Sequence, residues 1–171
     1  MKGIIFDLDQ TIVDSSIAEK QRSNRQWNDV YSLIPRFQLY EGIQELITEL
    51  RLNNFKIAIV TTSPGIYTDK VLKYFDIYND AKVCYHDVSR RKPFADQYLK
   101  AMEVLKLNPK HTFSLGDRAI DIQAAHNANI FSCACYWGSL EKDLLKLSNS
   151  QYNFETVRDA IDFFRNYNFI I

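Results

Sequence analysis

The chain has 171 residues, enough for one domain with a substantial core. Apolar residues make up 46% and charged residues 25%, the balance of a soluble globular protein rather than a disordered or fibrous one. Lys plus Arg equals Asp plus Glu at 21 each, which argues against a global basic field for nucleic acid and against an acidic disordered tail.

Met1-Lys2-Gly3 leads directly into an apolar, strand-like run, Gly3–Phe6, with no leader pattern before it. No apolar run reaches the length of a membrane span, so a cytoplasmic location is expected. The segment from Asp14 to Tyr40 is the one irregular stretch. Its front half is polar, with Lys20, Arg22 and Arg25 forming a small basic face. Its back half carries Trp27, Val30, Tyr31 and Ile34 at helical spacing and closes at Pro35. We read it as a helical excursion, with its basic face more simply solvated than aimed at a phosphate.

Helical and strand-like segments then alternate. Ile43, Leu46, Ile47 and Leu50 recur on one helical face, and Lys56–Val60 is a second strand. Thr68, Val71, Leu72 and Phe75 mark the next helix, and Lys82–Tyr85 the third strand. Tyr98, Ala101, Met102 and Leu105 precede a fourth strand, Thr112–Leu115. A fifth strand, Ile130–Tyr136, precedes a last helix near Thr156–Tyr167. This alternation predicts an α/β fold: a doubly wound, Rossmann-like parallel sheet of about five strands, with right-handed crossovers and helices on both faces. Residues 1–171 are expected to form one domain, with 14–40 as a short insertion after the first strand. Cys84, Cys133 and Cys135 all lie in apolar, strand-like surroundings, so buried reduced thiols are expected.

Ligands in such folds bind at the carboxyl ends of the strands, where strand order reverses. The residues after each predicted strand are therefore the candidates. They are Asp7, Asp9 and Thr11; then Thr61, Thr62 and Ser63; then His86, Asp87, Arg90, Arg91 and Lys92; then Gly116, Asp117 and Asp121. Carboxylates, hydroxyls and a lysine on one edge suit a phosphate and a divalent cation. Magnesium prefers hard oxygen ligands, which Asp7 and Asp117 supply, and clustered carboxylates need such a cation. A carboxylate can attack phosphorus, and a second carboxyl two residues along can pass a proton to the leaving oxygen. Thr61 and Lys92 can bind the non-bridging phosphoryl oxygens. Thr11, Thr62 and Arg91 are the candidate substrate-binding residues. Asp121 has a plainer alternative role as a carboxylate that orients a helix.

Ile4-Ile5-Phe6-Asp7-Leu8-Asp9-Gln10-Thr11-Ile12-Val13-Asp14-Ser15 resembles the first motif of the haloacid dehalogenase superfamily, in its phosphatase branch. Ile57 to Thr61 resembles the second motif, Arg91-Lys92-Pro93 the third, and Leu115-Gly116-Asp117-Arg118-Ala119-Ile120-Asp121 the fourth. The resemblance implies a phosphohydrolase that forms an aspartyl-phosphate. In it Asp7 is nucleophile and metal ligand, and Asp9 is the general acid/base and lends its backbone carbonyl to the metal. Asp117 is a metal ligand, and Asp121 sits beside the metal site, orienting metal-bound water or Lys92. The implied cofactor is Mg2+.

Two departures stand out. Gln10 occupies a position where glycine is common, and the excursion is far shorter than many relatives' caps. The site is therefore expected to be open, or completed by a neighbouring subunit in a homo-oligomer. The expected substrate is a small phosphorylated metabolite. A phosphoprotein or nucleic-acid-end phosphatase is the alternative that an open site permits, although neutrality weakens the nucleic-acid version. A phosphomutase needs a larger cap. A receiver-like phosphate switch would carry its Asp after the third strand. A nucleotide-binding oxidoreductase would need a glycine-rich turn that no strand here precedes.

Overall fold

The computed structural model describes residues 1–167. Eight strands and eight α-helices lie along them. The strands are β1 (Gly3–Phe6), β2 (Val13–Asp14), β3 (Gln38–Leu39), β4 (Lys56–Val60), β5 (Ala81–Val83), β6 (Thr112–Gly116), β7 (Phe131–Cys135) and β8 (Tyr152–Phe154). The helices are α1 (Glu19–Ser23), α2 (Trp27–Leu33), α3 (Ile43–Leu52), α4 (Gly65–Tyr74), α5 (Asp96–Leu105), α6 (Ala119–Asn127), α7 (Lys142–Lys146) and α8 (Val157–Asn166). Among the described residues, no helix is long and apolar enough to cross a membrane.

Six strands form one sheet in the order β5-β4-β1-β6-β7-β8, and every pairing in it is parallel. The sheet is a Rossmann-like α/β layer with one strand more than the sequence suggests. The extra strand is β8, an edge strand of three residues that pairs Tyr152 with Cys133 and Phe154 with Cys135. Three residues are too short to display a period of two, so nothing in Tyr152-Asn153-Phe154 marks it as a strand. The short strands β2 and β3 pair antiparallel with each other and pin the two ends of the excursion together.

β1 is apolar throughout and fully buried because its two faces serve two cores. Side chains alternate across a strand, so Ile4 and Phe6 face one way and Ile5 the other. Ile4, Phe6, Ile57, Ile59, Phe113 and Leu115 pack against α3, α4 and α8. Ile5, Ala58 and Val60 pack against α5 and α6 through Tyr98, Ala101, Met102, Ala124 and Ala125. Each fully buried Ile or Phe of this kind contributes about 1.5–3 kcal/mol over an exposed one. The first core also takes Val30, Ile34 and Phe37 from the excursion, with Trp27 and Tyr31 half-buried beside them. The three cysteines are buried free thiols.

The chain leaves β1 for β4 and β5 on one side, then returns to β6, β7 and β8 on the other. The reversal at β1 opens a crevice beyond its carboxyl end. Asp7, Thr61 and Asp117 directly follow β1, β4 and β6, the three central strands.

Candidate active site

A cavity of about 550 Å³ lies over this crevice. Its floor holds Asp7, Asp117, Asp121 and Lys92. One carboxylate oxygen from each aspartate lies within 4.8 Å of the others. Lys92 Nζ donates to Asp7 Oδ1 at 2.5 Å, to Asp121 Oδ1 at 2.6 Å and to the Val60 carbonyl at 2.9 Å. All three ammonium donors are thus committed to protein oxygens. The Lys92 side chain is 1% exposed, so this is a buried charge cluster with more carboxylates than cations.

The electrostatics follow from that imbalance. Burial, with the charges of Asp121 and Asp9 adding to it and Lys92 opposing, pushes Asp7 up to about 7. Burial and the charges of Asp7 and Asp121 likewise raise Asp117 well above the carboxylate range. Burial alone would lower Lys92, but the charges of Asp121 and Asp7 outweigh it and hold its ammonium well above the ordinary lysine value. Three buried carboxylates around one lysine leave negative charge uncompensated. Hard carboxylate oxygens grouped this way fit a divalent cation of the magnesium type.

Local structure holds the floor in place. Gly116 precedes Asp117, and a Cβ there would lie 2.4 Å from the Asp121 Cβ, so only glycine lets Asp121 pack this closely. Asp121 is the third residue of α6, and its Oδ2 accepts the Arg118 backbone N–H at 3.0 Å. One carboxylate therefore caps a helix with one oxygen and holds Lys92 with the other. The Lys92–Pro93 peptide is cis.

Asp9 stands on the cavity wall with four side-chain donors around its carboxylate: Ser15, Ser63, Tyr67 and Arg22. Thr61 lines the cavity, and its Oγ1 accepts from the Ser63 backbone N–H at 3.0 Å. Thr62 lines it as well and is exposed. Thr11 and Arg91, expected to bind substrate, stand off the cavity wall. Thr11 is fully buried and donates to Asp117 Oδ1 at 3.1 Å, so it orients a carboxylate of the floor. The Arg91 guanidinium lies over the Tyr85 ring, 4.3 Å from its centroid, and donates to the Val88 carbonyl. Ser63 does not cap α4, since its hydroxyl is turned to Asp9.

Tyr67 has a role that the sequence did not reveal. It sits one turn before Val71 on the buried face of α4, where an aromatic residue reads as core. Its ring is buried, 5.7 Å from that of Trp27, while its hydroxyl reaches Asp9. The excursion contributes more than its length suggests, because Glu19, Arg22, Ser23, Arg25 and Trp27 all line the cavity.

Residues 18–135 match the haloacid dehalogenase-like hydrolase family, which is more than half of the chain. The chain belongs to that family. A PpaX-named protein of Caldanaerobacter subterraneus is 31% identical over 77% of this chain, which spans 59% of that relative's length. The pyrophosphatases PpaX of Oceanobacillus iheyensis and Halalkalibacterium halodurans are 26% and 29% identical, over 90% and 91% of this chain and 71% of each relative. A haloacid dehalogenase-like hydrolase of Streptococcus pneumoniae has the same fold at 22% identity, with a TM-score of 0.79 over 96% of this chain and 98% of that one. A superfamily hydrolase of Geobacter sulfurreducens gives 20% identity and a TM-score of 0.74, covering 95% and 98%.

Proposed function

We propose that the protein is a magnesium-dependent phosphatase that hydrolyses a small phosphorylated substrate through an aspartyl-phosphate on Asp7. The observation that carries the proposal is the buried Asp7–Lys92–Asp121–Asp117 cluster at the strand-order reversal. The names of the PpaX relatives support phosphate chemistry, and pyrophosphate is one substrate that they suggest.

In this mechanism an Asp7 oxygen attacks phosphorus, and the bond to the leaving oxygen breaks as that oxygen takes a proton from Asp9. Water then attacks the acyl phosphate, Asp9 takes back the proton, and inorganic phosphate leaves. Lys92, fixed by Asp121 and the Val60 carbonyl, offers positive charge to the phosphoryl oxygens beside Asp7, and Thr61 offers its hydroxyl at the end of β4. Asp7 and Asp117, with the Asp9 backbone carbonyl, would hold Mg2+, which supplies charge neutralisation for the carboxylates and the transferring phosphoryl group. Asp121 acts as a positioning residue, since both of its oxygens are engaged by Lys92 and Arg118. Residues 1–171 act as one hydrolase domain, with 14–40 as its reduced cap.

The test is Asp7→Asn, assayed with magnesium and a generic aryl phosphate. Activity is expected to vanish while the circular dichroism spectrum is retained. Turnover within tenfold of the unaltered protein would exclude Asp7 as the nucleophile.

A further inference from the structure

Asp9 is fully engaged before any substrate arrives. An ionised carboxylate offers about four lone-pair positions. Oδ1 accepts from Ser15 Oγ at 2.6 Å and from Tyr67 Oη at 2.5 Å. Oδ2 accepts from Ser63 Oγ at 3.0 Å and from Arg22 Nη1 at 2.8 Å. No position remains for a leaving oxygen or an attacking water, so Asp9 must release a partner before it can exchange a proton with either.

The four partners are not equally able to leave. Ser15, Ser63 and Tyr67 are buried and belong to packed segments. Arg22 has a side chain only 17% exposed but belongs to α1, a helix of five residues of which none is fully buried. Segments with few buried contacts open at low free-energy cost. Arg22 is also incompletely satisfied where it stands, because its Nε is buried without a hydrogen-bond partner. Three residues on, Arg25 lines the same cavity and makes no ion pair among the described residues. Two guanidinium groups, one with an idle donor and one unpaired, therefore border the side of the cavity occupied by the acid/base.

We propose that Arg22 is a substrate-operated latch and that Arg22 and Arg25 together select substrates whose leaving group carries a second negative charge. At rest Arg22 holds Asp9 idle. An anionic leaving group draws the guanidinium off Oδ2, and the vacated position lets Asp9 take a proton from solvent and hand it to the leaving oxygen. Guanidinium matches phosphate and carboxylate bidentately, so inorganic pyrophosphate and a phosphorylated carboxylic acid present the same recognisable chemistry. A neutral leaving group offers Arg22 no exchange partner and leaves Asp9 latched. The proposal rests on Asp9 as acid/base and adds the substrate class and the residue that enforces it.

The experiment compares the full-length protein with Arg22→Met on three substrates: inorganic pyrophosphate, 2-phosphoglycolate and phenyl phosphate, whose leaving group is uncharged. For at least one of the two charged substrates, kcat/KM is expected to fall about tenfold or more, the scale of one charge-assisted contact. For phenyl phosphate it is expected to rise about threefold, because the acid/base is released. Whichever charged substrate falls further identifies the second anion. A change of the same sign and size on all three, or no change on any, overturns the latch. A second readout needs no turnover. Imidodiphosphate, a diphosphate with a bridging nitrogen, should lose about tenfold in affinity by calorimetry in Arg22→Met, while inorganic phosphate changes less than threefold. Equal losses for both ligands overturn the proposal. Arg22→Lys keeps the charge without the fork, should shift both readouts in the same sense by less, and decides the matter if the Met variant does not fold. Failure of the phosphatase proposal looks different: the unaltered protein would turn over none of the three substrates, while the binding comparison would still decide the anion preference.

Discussion

Lys92→Met is the sharpest test of the floor. The substitution keeps the length of the side chain and removes its charge. It strips a donor from Asp7 Oδ1, from Asp121 Oδ1 and from the Val60 carbonyl at once. Breaking a buried ion pair from one side costs about 3–5 kcal/mol, because the partner charge stays buried without compensation. With an m-value of about 2 kcal/mol/M, the urea midpoint of the metal-free protein should fall by about 2 M. The assay is equilibrium urea unfolding in excess chelator, followed by fluorescence of the two tryptophans. Magnesium should return part of the loss, since a ligand that binds only the native state adds about 2.7 kcal/mol at a hundred times its Kd. Lys56→Met is the control. Lys56 also pairs with an aspartate, Asp80, at 2.7 Å, but the Lys56 side chain is 43% exposed and Asp80 keeps the Ile57 backbone N–H and the Tyr78 hydroxyl as donors when the lysine is gone. Its effect should be far smaller. A Lys92→Met loss below about 1 kcal/mol in chelator would refute the claim that Lys92 compensates buried carboxylates.

Chelator is expected to abolish turnover of an aryl phosphate and magnesium to restore it, with calcium a poor substitute because its coordination is larger and looser; full activity after exhaustive chelation would remove the metal from the mechanism. Gly138→Ala should destabilise by about 1–3 kcal/mol or more and lower activity with it, because a Cβ there would lie 1.9 Å from the Gln10 carbonyl oxygen and 2.6 Å from the Tyr40 hydroxyl. Gly65→Ala, with nothing within 4 Å of the added carbon, should leave thermal stability unchanged or higher.

The sheet was legible because its strands are apolar runs buried on both faces, and two of them, Gly3–Phe6 and Lys56–Val60, have the bounds that the sequence suggests. The charge cluster was legible for a related reason. Each of its members follows a strand, and topology alone brings strand ends together. Two residues expected to bind substrate are placed by geometry that no local pattern encodes. Thr11 follows β1 as a substrate-binding hydroxyl would, yet its side chain is buried and donates to Asp117 Oδ1. Arg91 adjoins Lys92, but consecutive side chains diverge, and its guanidinium lies on Tyr85. Tyr67 was invisible because a buried tyrosine on a helix face has the same periodicity as a core residue, and only its hydroxyl reaches Asp9.

The excursion is neither an open gap nor a freely hinged lid. Gln10 shows how it is tied down. At φ 65° it adopts the left-handed backbone conformation that glycine takes without strain, so the loop after Asp9 keeps a glycine-type turn despite the substitution. In return it carries a side chain, and Gln10 Oε1 accepts from the Tyr40 hydroxyl at 2.7 Å. Tyr40 closes the excursion, and its backbone N–H donates to the Ile12 carbonyl. From the other side of the sheet, Trp137 Nε1 donates to the Thr11 carbonyl at 2.9 Å. These contacts, the β2–β3 pairing and the burial of Val30, Ile34 and Phe37 fix the return leg of the excursion to the loop after β1. What remains loosely held is α1, which buries none of its own residues and carries Arg22. The ion pair that α1 makes to the loop after β1 is the contact of Arg22 with Asp9. Under the latch proposal, an excursion of this size makes proton transfer conditional on what the substrate's leaving group offers to Arg22.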